Sequence, residues 1–266
     1  MEIQWALVLF TVISGAGAWL FACSMLGHLL KKAPETSKME TVVAFVLLAV
    51  GGCMSVLHLS HVDRILEALN HPTSGIFIEA AMIGVLCLIL AVYFIMLMRG
   101  TSEKARTVVG ILGMLLGVVF TYACGSSYMM EGRPAWETIA LPLAYMGTAA
   151  AAGAGLNLLL KGVQKQGDEA VSFAGLLSVG GAVLGGVLAA AFCIAAGVGV
   201  DLWTIALFAG IVVVIVCGAV VWKKPSNAVA LGALACAAGV IAAIALRVAM
   251  WLVGTPFMDF FLMALE

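Results

Sequence analysis

Ile76-Phe77-Ile78-Glu79-Ala80-Ala81-Met82-Ile83-Gly84-Val85-Leu86-Cys87-Leu88-Ile89-Leu90-Ala91-Val92-Tyr93-Phe94-Ile95-Met96-Leu97-Met98 is an apolar run broken by one acid, Glu79. A hydrocarbon core about 30 Å thick is crossed by roughly 20 such residues in a helix rising about 1.5 Å per residue. The stretch therefore reads as a membrane span. Seven others share its character: Trp5–Leu30, Thr41–Ser60, Thr107–Ser127, Thr138–Leu160, Ser172–Ala196, Leu202–Trp222 and Ala228–Val253. Short polar links with turn residues separate them, such as Lys31-Lys32-Ala33-Pro34 and Lys223-Lys224-Pro225-Ser226-Asn227.

The rest of the chain agrees. Of its 266 residues 64% are hydrophobic and 10% charged, whereas a soluble domain carries about 25% charge. The expected fold is all-α, a polytopic membrane bundle of eight transmembrane helices forming a single domain over residues 1–266. A net charge of −1 without a basic stripe speaks against a nucleic-acid partner. Met1-Glu2-Ile3-Gln4 lacks the basic start of a secretory signal, so the first span is expected to be retained.

Charge also orients the chain. The odd-numbered connections hold Lys31, Lys32, Lys38, Arg99, Lys104, Arg106, Lys161, Lys165, Lys223 and Lys224, against Arg64, Arg133 and Arg247 on the other side. The positive-inside rule then places both termini outside, which for a bacterial inner membrane means the periplasm.

The seven cysteines each stand alone in an apolar run, with no CxxC or other ligand spacing, and read as small buried side chains. No metal site is expected. Gly181 and Gly185 form a small-xxx-small pair, and Ala149 to Gly155 make a nearly side-chain-free stripe, as close helix packing in lipid demands.

Ionisable groups within spans are costly and mark functional sites by default. His58 falls in the last turn of the second span and Glu79 in the first turn of the third. Arg64 lies on the link between them. Arg247 sits six residues from the outer end of the eighth span, about 9 Å deep. All four share one face of the membrane. Quinol oxidation releases two electrons and two protons, and a histidine with a desolvated carboxylate suits the protons. Against that, His58 and Glu79 can face headgroups, Arg247 can snorkel to the interface, and Arg64 can be a solvated charge. His61 and His71 read as loop residues and His28 as interfacial. A bis-histidine haem needs two histidines at matching depth on facing helices, which this spacing does not offer.

At Leu57-His58-Leu59, followed by Arg64 and Glu79, the chain resembles the membrane anchor subunit family of dimethyl sulfoxide reductase. The resemblance extends through Trp5-Ala6-Leu7-Val8-Leu9-Phe10-Thr11, Tyr128 with Pro134-Ala135-Trp136, and Arg247 with Trp251. It implies an anchor that binds and oxidises menaquinol near the periplasmic face. Electrons then pass to a four-cluster iron–sulfur subunit and on to a molybdopterin catalytic subunit. It also implies His58 and Glu79 as the quinol-site residues, with neither haem nor iron–sulfur cluster in the anchor. The full expected quinol-binding set is His58, Arg64, Glu79, Tyr128 and Arg247. The chain departs from the family at Ser60-His61-Val62-Asp63-Arg64, where glycine is usual after Leu-His-Leu. It departs again at Ser126 or Ser127, where the family has an arginine. Two other functions compete: a small secondary transporter, and a structural anchor without a quinone site.

Overall fold

The computed structural model describes residues 3–57 and 74–254. Within them the chain is helical and without strands: α1 (Trp5–Leu29), α2 (Lys38–Val56), α3 (Gly75–Arg99), α4 (Glu103–Ser126), α5 (Ala140–Val163), α6 (Asp168–Ala195), α7 (Leu202–Lys223) and α8 (Ala228–Val253). All eight are long and apolar enough to cross a membrane. The apolar runs set the helices, and polar caps set several ends. Ser37 starts α2 by accepting from the Glu40 amide, while Glu40 accepts from the Ser37 amide, a reciprocal capping box. Asp201 and Thr204 do the same for α7. Ser74 and Ser102 cap α3 and α4. Gly100, at φ +62°, takes the left-handed turn that ends α3.

Helices α1 to α4 pack in a ring, each on its neighbours, with α4 returning to α1. Helices α5 to α8 close a second ring in the same way. The rings join chiefly where α5 lies against α1 and α4. These two helices form the axis: α1 and α5 are largely buried, whereas α3 keeps most of its surface outside. Large apolar side chains face outward along the outer helices, with Leu88 63% exposed and Ile194 81%. Such a surface suits lipid and not water.

Small residues allow the axis to form. A Cβ on Gly153 would stand 2.4 Å from Trp19 Cβ, and one on Gly155 2.9 Å from the Ala235 backbone. Gly185 meets Gly147 carbonyl oxygen at a notional 2.7 Å, and Gly181 meets Ala150 at 3.0 Å. The expected small-residue stripes are thus backbone-to-backbone contacts between α5 and α1, α6 and α8. Gly155→Val should push α5 and α8 apart and cost roughly 2–3 kcal/mol. Gly180→Ala, where a Cβ meets open space, should leave stability unchanged. Unfolding of the two variants in mixed micelles would check the contrast.

Odd-numbered helices end where even-numbered ones begin: His28 near the end of α1 meets Glu103 at the start of α4, Lys161 near the end of α5 meets Glu40 at the start of α2, and Trp222 near the end of α7 meets Gly175 in the first turns of α6. That rim carries the lysine-rich connections and is called the basic rim below. Helices outrun the apolar segments mainly there, with α2 starting at Lys38 and α4 at Glu103. The reason is that serine caps carry the helix into the polar layer, where hydropathy no longer reports it.

Candidate functional site

At the rim opposite the basic one, five helices bring polar groups together. Arg247, on α8, is 1% exposed and does not snorkel. Its Nε donates to Thr11 Oγ1 on α1 (3.2 Å), and its Nη1 donates to Thr148 Oγ1 on α5 (2.7 Å) and to the Ala243 carbonyl (3.1 Å). The guanidinium lies over the Tyr145 ring, 4.1 Å from its centroid. Two hydroxyls, a carbonyl and a π face therefore hold the charge, with no carboxylate among the described residues beside it. Such a cation makes a positive field inside the bundle at small reorganisation cost.

Tyr145 extends that cluster outward. Its hydroxyl donates to Met250 Sδ (3.3 Å), and its ring lies 5.6 Å from Tyr128. Tyr128 follows α4 and is enclosed by Trp136 and Trp251, at 6.0 and 6.1 Å in edge-to-face contacts. Trp136 Nε1 donates to the Met250 carbonyl (2.8 Å), fixing the connection between α4 and α5 against α8. Arg133 covers Trp136 and donates to the Gly254 carbonyl. Burial, with the neighbouring Tyr145 and Glu79 adding, holds the Tyr128 phenol well above its usual range. It is thus a neutral hydrogen-bond donor at any physiological pH.

Glu79 enters from the first turns of α3. It is half-buried, lies beside Ser127, the residue before Tyr128, and is near enough for its charge to act on Tyr128. Glu79, Tyr128 and Arg247 are therefore linked through Ser127 and Tyr145 into one rim cluster. His58 and Arg64 lie outside the described residues, as do His61 and His71. Among the described residues no group of three or more histidines, cysteines and acids gathers as a metal site would.

A second polar cluster was not legible beforehand. Near the basic rim Lys161 Nζ on α5 meets Glu40 Oε1 on α2 at 2.7 Å, the side chains being 2% and 0% exposed. Ser24 on α1 donates to Glu40 Oε2 (2.8 Å), and so does the Ser37 amide (2.8 Å). Beside it Arg106 forks onto both oxygens of Glu35 (2.6 and 2.7 Å), and Tyr93 donates to Glu35 (3.3 Å). The one sequence signal for this was the Ser37-x-x-Glu40 spacing of a capping box.

The fold and its rim cluster define a polytopic α-helical membrane protein with a buried arginine–tyrosine site linked to a carboxylate at one end. The profile of the DMSO reductase anchor subunit family (DmsC) matches residues 1–224, and the chain belongs to that family. It is accordingly a membrane anchor subunit of a DMSO reductase-type complex, associating with catalytic and electron-transfer subunits. No curated protein matches the chain. The family match takes in His58, Glu79 and Tyr128 but stops before α8, so Arg247 stands on geometry alone.

Proposed function

We propose that the anchor binds and oxidises menaquinol at the rim opposite the lysine-rich one, on the periplasmic side of a bacterial inner membrane, an orientation that the charge bias of the connections supports. The quinol gives up two electrons and two protons and becomes menaquinone. The electrons pass to a four-cluster iron–sulfur subunit docked on that rim and from it to a molybdopterin catalytic subunit. Glu79 takes one hydroxyl proton and His58 the other. The Tyr128 phenol donates to a ring oxygen, and Arg64 orients the headgroup from the link between α2 and α3. The field of Arg247 favours the negative charge that develops as protons leave.

The observation that carries this reading is the convergence of Glu79, Tyr128 and Arg247 on one rim of a family-assigned anchor. A half-buried carboxylate beside Ser127 keeps lone pairs for a ligand, and the Tyr128 phenol lies at the same rim. The secondary-transporter reading fares worse, because transporters bind near the midplane between repeats. Here α5 meets α1, α6 and α8 there backbone to backbone.

The test is His58→Ala in the assembled complex. Menaquinol-driven turnover should fall about a hundredfold, the contribution of a positioned base. A reduced dye that feeds the partner subunits directly should still drive turnover at the parent rate. Undiminished quinol activity would remove histidine from the site.

A further inference from the structure

A groove of about 640 Å³ opens at the basic rim, far from the proposed quinol site, between the end of α1, the link to α2 and the start of α4. His28, Lys31, Glu35, Glu103 and Thr107 line it. Their charges are not equivalent. Glu35 is consumed by the Arg106 fork and by Tyr93. His28 Nε2 lies 3.4 Å from Thr107 Oγ1 and 3.7 Å from Glu103, whose side chain is 70% exposed. Lys31 meets no carboxylate among the described residues and is held by a left-handed backbone at φ +57°. The groove thus offers one free ammonium and one carboxylate with an open side.

Below the groove the surface turns apolar along a single line. Thr107, Ile111, Met114 and Val118 recur at the spacing of one helix face, and all four are half-buried. From Thr107 to Val118 the rise is about 16 Å, close to half the roughly 30 Å hydrocarbon core. The line then reaches Thr121, which Trp19 Nε1 covers at 3.1 Å. A charged cup of both signs above an apolar track one leaflet long matches a phospholipid.

We propose that this groove binds a zwitterionic phospholipid with a primary ammonium, as in phosphatidylethanolamine. The phosphate lies against Lys31 and His28, the ammonium against Glu103, and one acyl chain along Ile111, Met114 and Val118. A primary ammonium donates hydrogen bonds to a carboxylate, which a trimethylated headgroup cannot do. An anionic headgroup gains Lys31 but meets Glu103 as a like charge.

Purified complex in detergent, offered equal amounts of phosphatidylethanolamine, phosphatidylglycerol and phosphatidylcholine, would be read by native mass spectrometry for retained lipid. Phosphatidylethanolamine should dominate. Glu103→Gln should erase its lead over phosphatidylglycerol. Lys31→Gln should weaken retention of both about fivefold, the worth of one exposed ion pair. Lys224→Gln, at the same rim but outside the groove, should change neither. Because Lys31 and Glu103 are exposed, the variants fold. The proposal is overturned by phosphatidylglycerol retained as well as phosphatidylethanolamine in the parent, or by retention unchanged in both groove variants.

Discussion

Glu79→Gln should lower menaquinol-driven turnover about a hundredfold or more while the complex assembles and runs on a direct dye donor at the parent rate. Glutamine keeps the volume of the side chain beside Ser127, so packing at the start of α3 is preserved. What it loses is the ability to accept a proton. Positioned bases contribute about 10²–10⁴-fold, which puts the change at roughly 3 kcal/mol or more in the barrier. Glu79→Asp retains the base but withdraws it by one methylene, and should fall between glutamine and the parent. The ordering separates a base from a mere headgroup contact, for which glutamine and glutamate would perform alike. Quinol turnover in Glu79→Gln within about twofold of the parent would leave Glu79 without a chemical role.

The ease of reading this fold and the difficulty of reading its site have the same physical origin. In lipid, hydropathy alone fixes how many helices there are and nearly where they end, because unpaired backbone groups have no solvent there. The stretch from Ile76 to Met98 became α3 with little adjustment. The same uniformity hides orientation about the helix axis. Arg247 lies in α8 among apolar neighbours on every side, so snorkelling and burial were equally open; contacts with Thr11, Thr148 and Tyr145, from two other helices, decide it. Tyr145 gave no signal at all, being one aromatic in an apolar span. Glu79 was legible because a lone acid in a span is costly, whereas its neighbour Ser127 is visible only in the fold. By sequence Lys161 belongs with the polar connection after the fifth span. Its position two residues before the end of α5 hides that it points inward to an acid on a helix of the other ring.

That pair should give the largest stability effect in the molecule, and an asymmetric one. Lys161→Met removes the cation that pairs with Glu40, a group fully enclosed whose short side chain cannot reach water. Breaking a buried pair from one side typically costs about 3–5 kcal/mol. Glu40→Gln should cost less, because the long lysine stem near the helix end can turn its ammonium outward, and glutamine can still accept from Ser24 and the Ser37 amide. Combining Lys161→Met with Glu40→Gln should recover much of the lysine loss, since the double variant leaves no charge unpaired. The interaction energy from the cycle, read by unfolding in mixed micelles, should therefore exceed about 1 kcal/mol. The pair also spans the two rings, tying α2 to α5 past Ser24 of α1. Lys161→Met should accordingly weaken the contact between the rings before either ring unfolds, exposing residues on the shared face of α1 to a cysteine-directed probe. Cys23, buried on that helix, reports this directly. Labelling of Cys23 as slow in Lys161→Met as in the parent, together with purely additive costs in the cycle, would reduce the pair to two independent polar side chains.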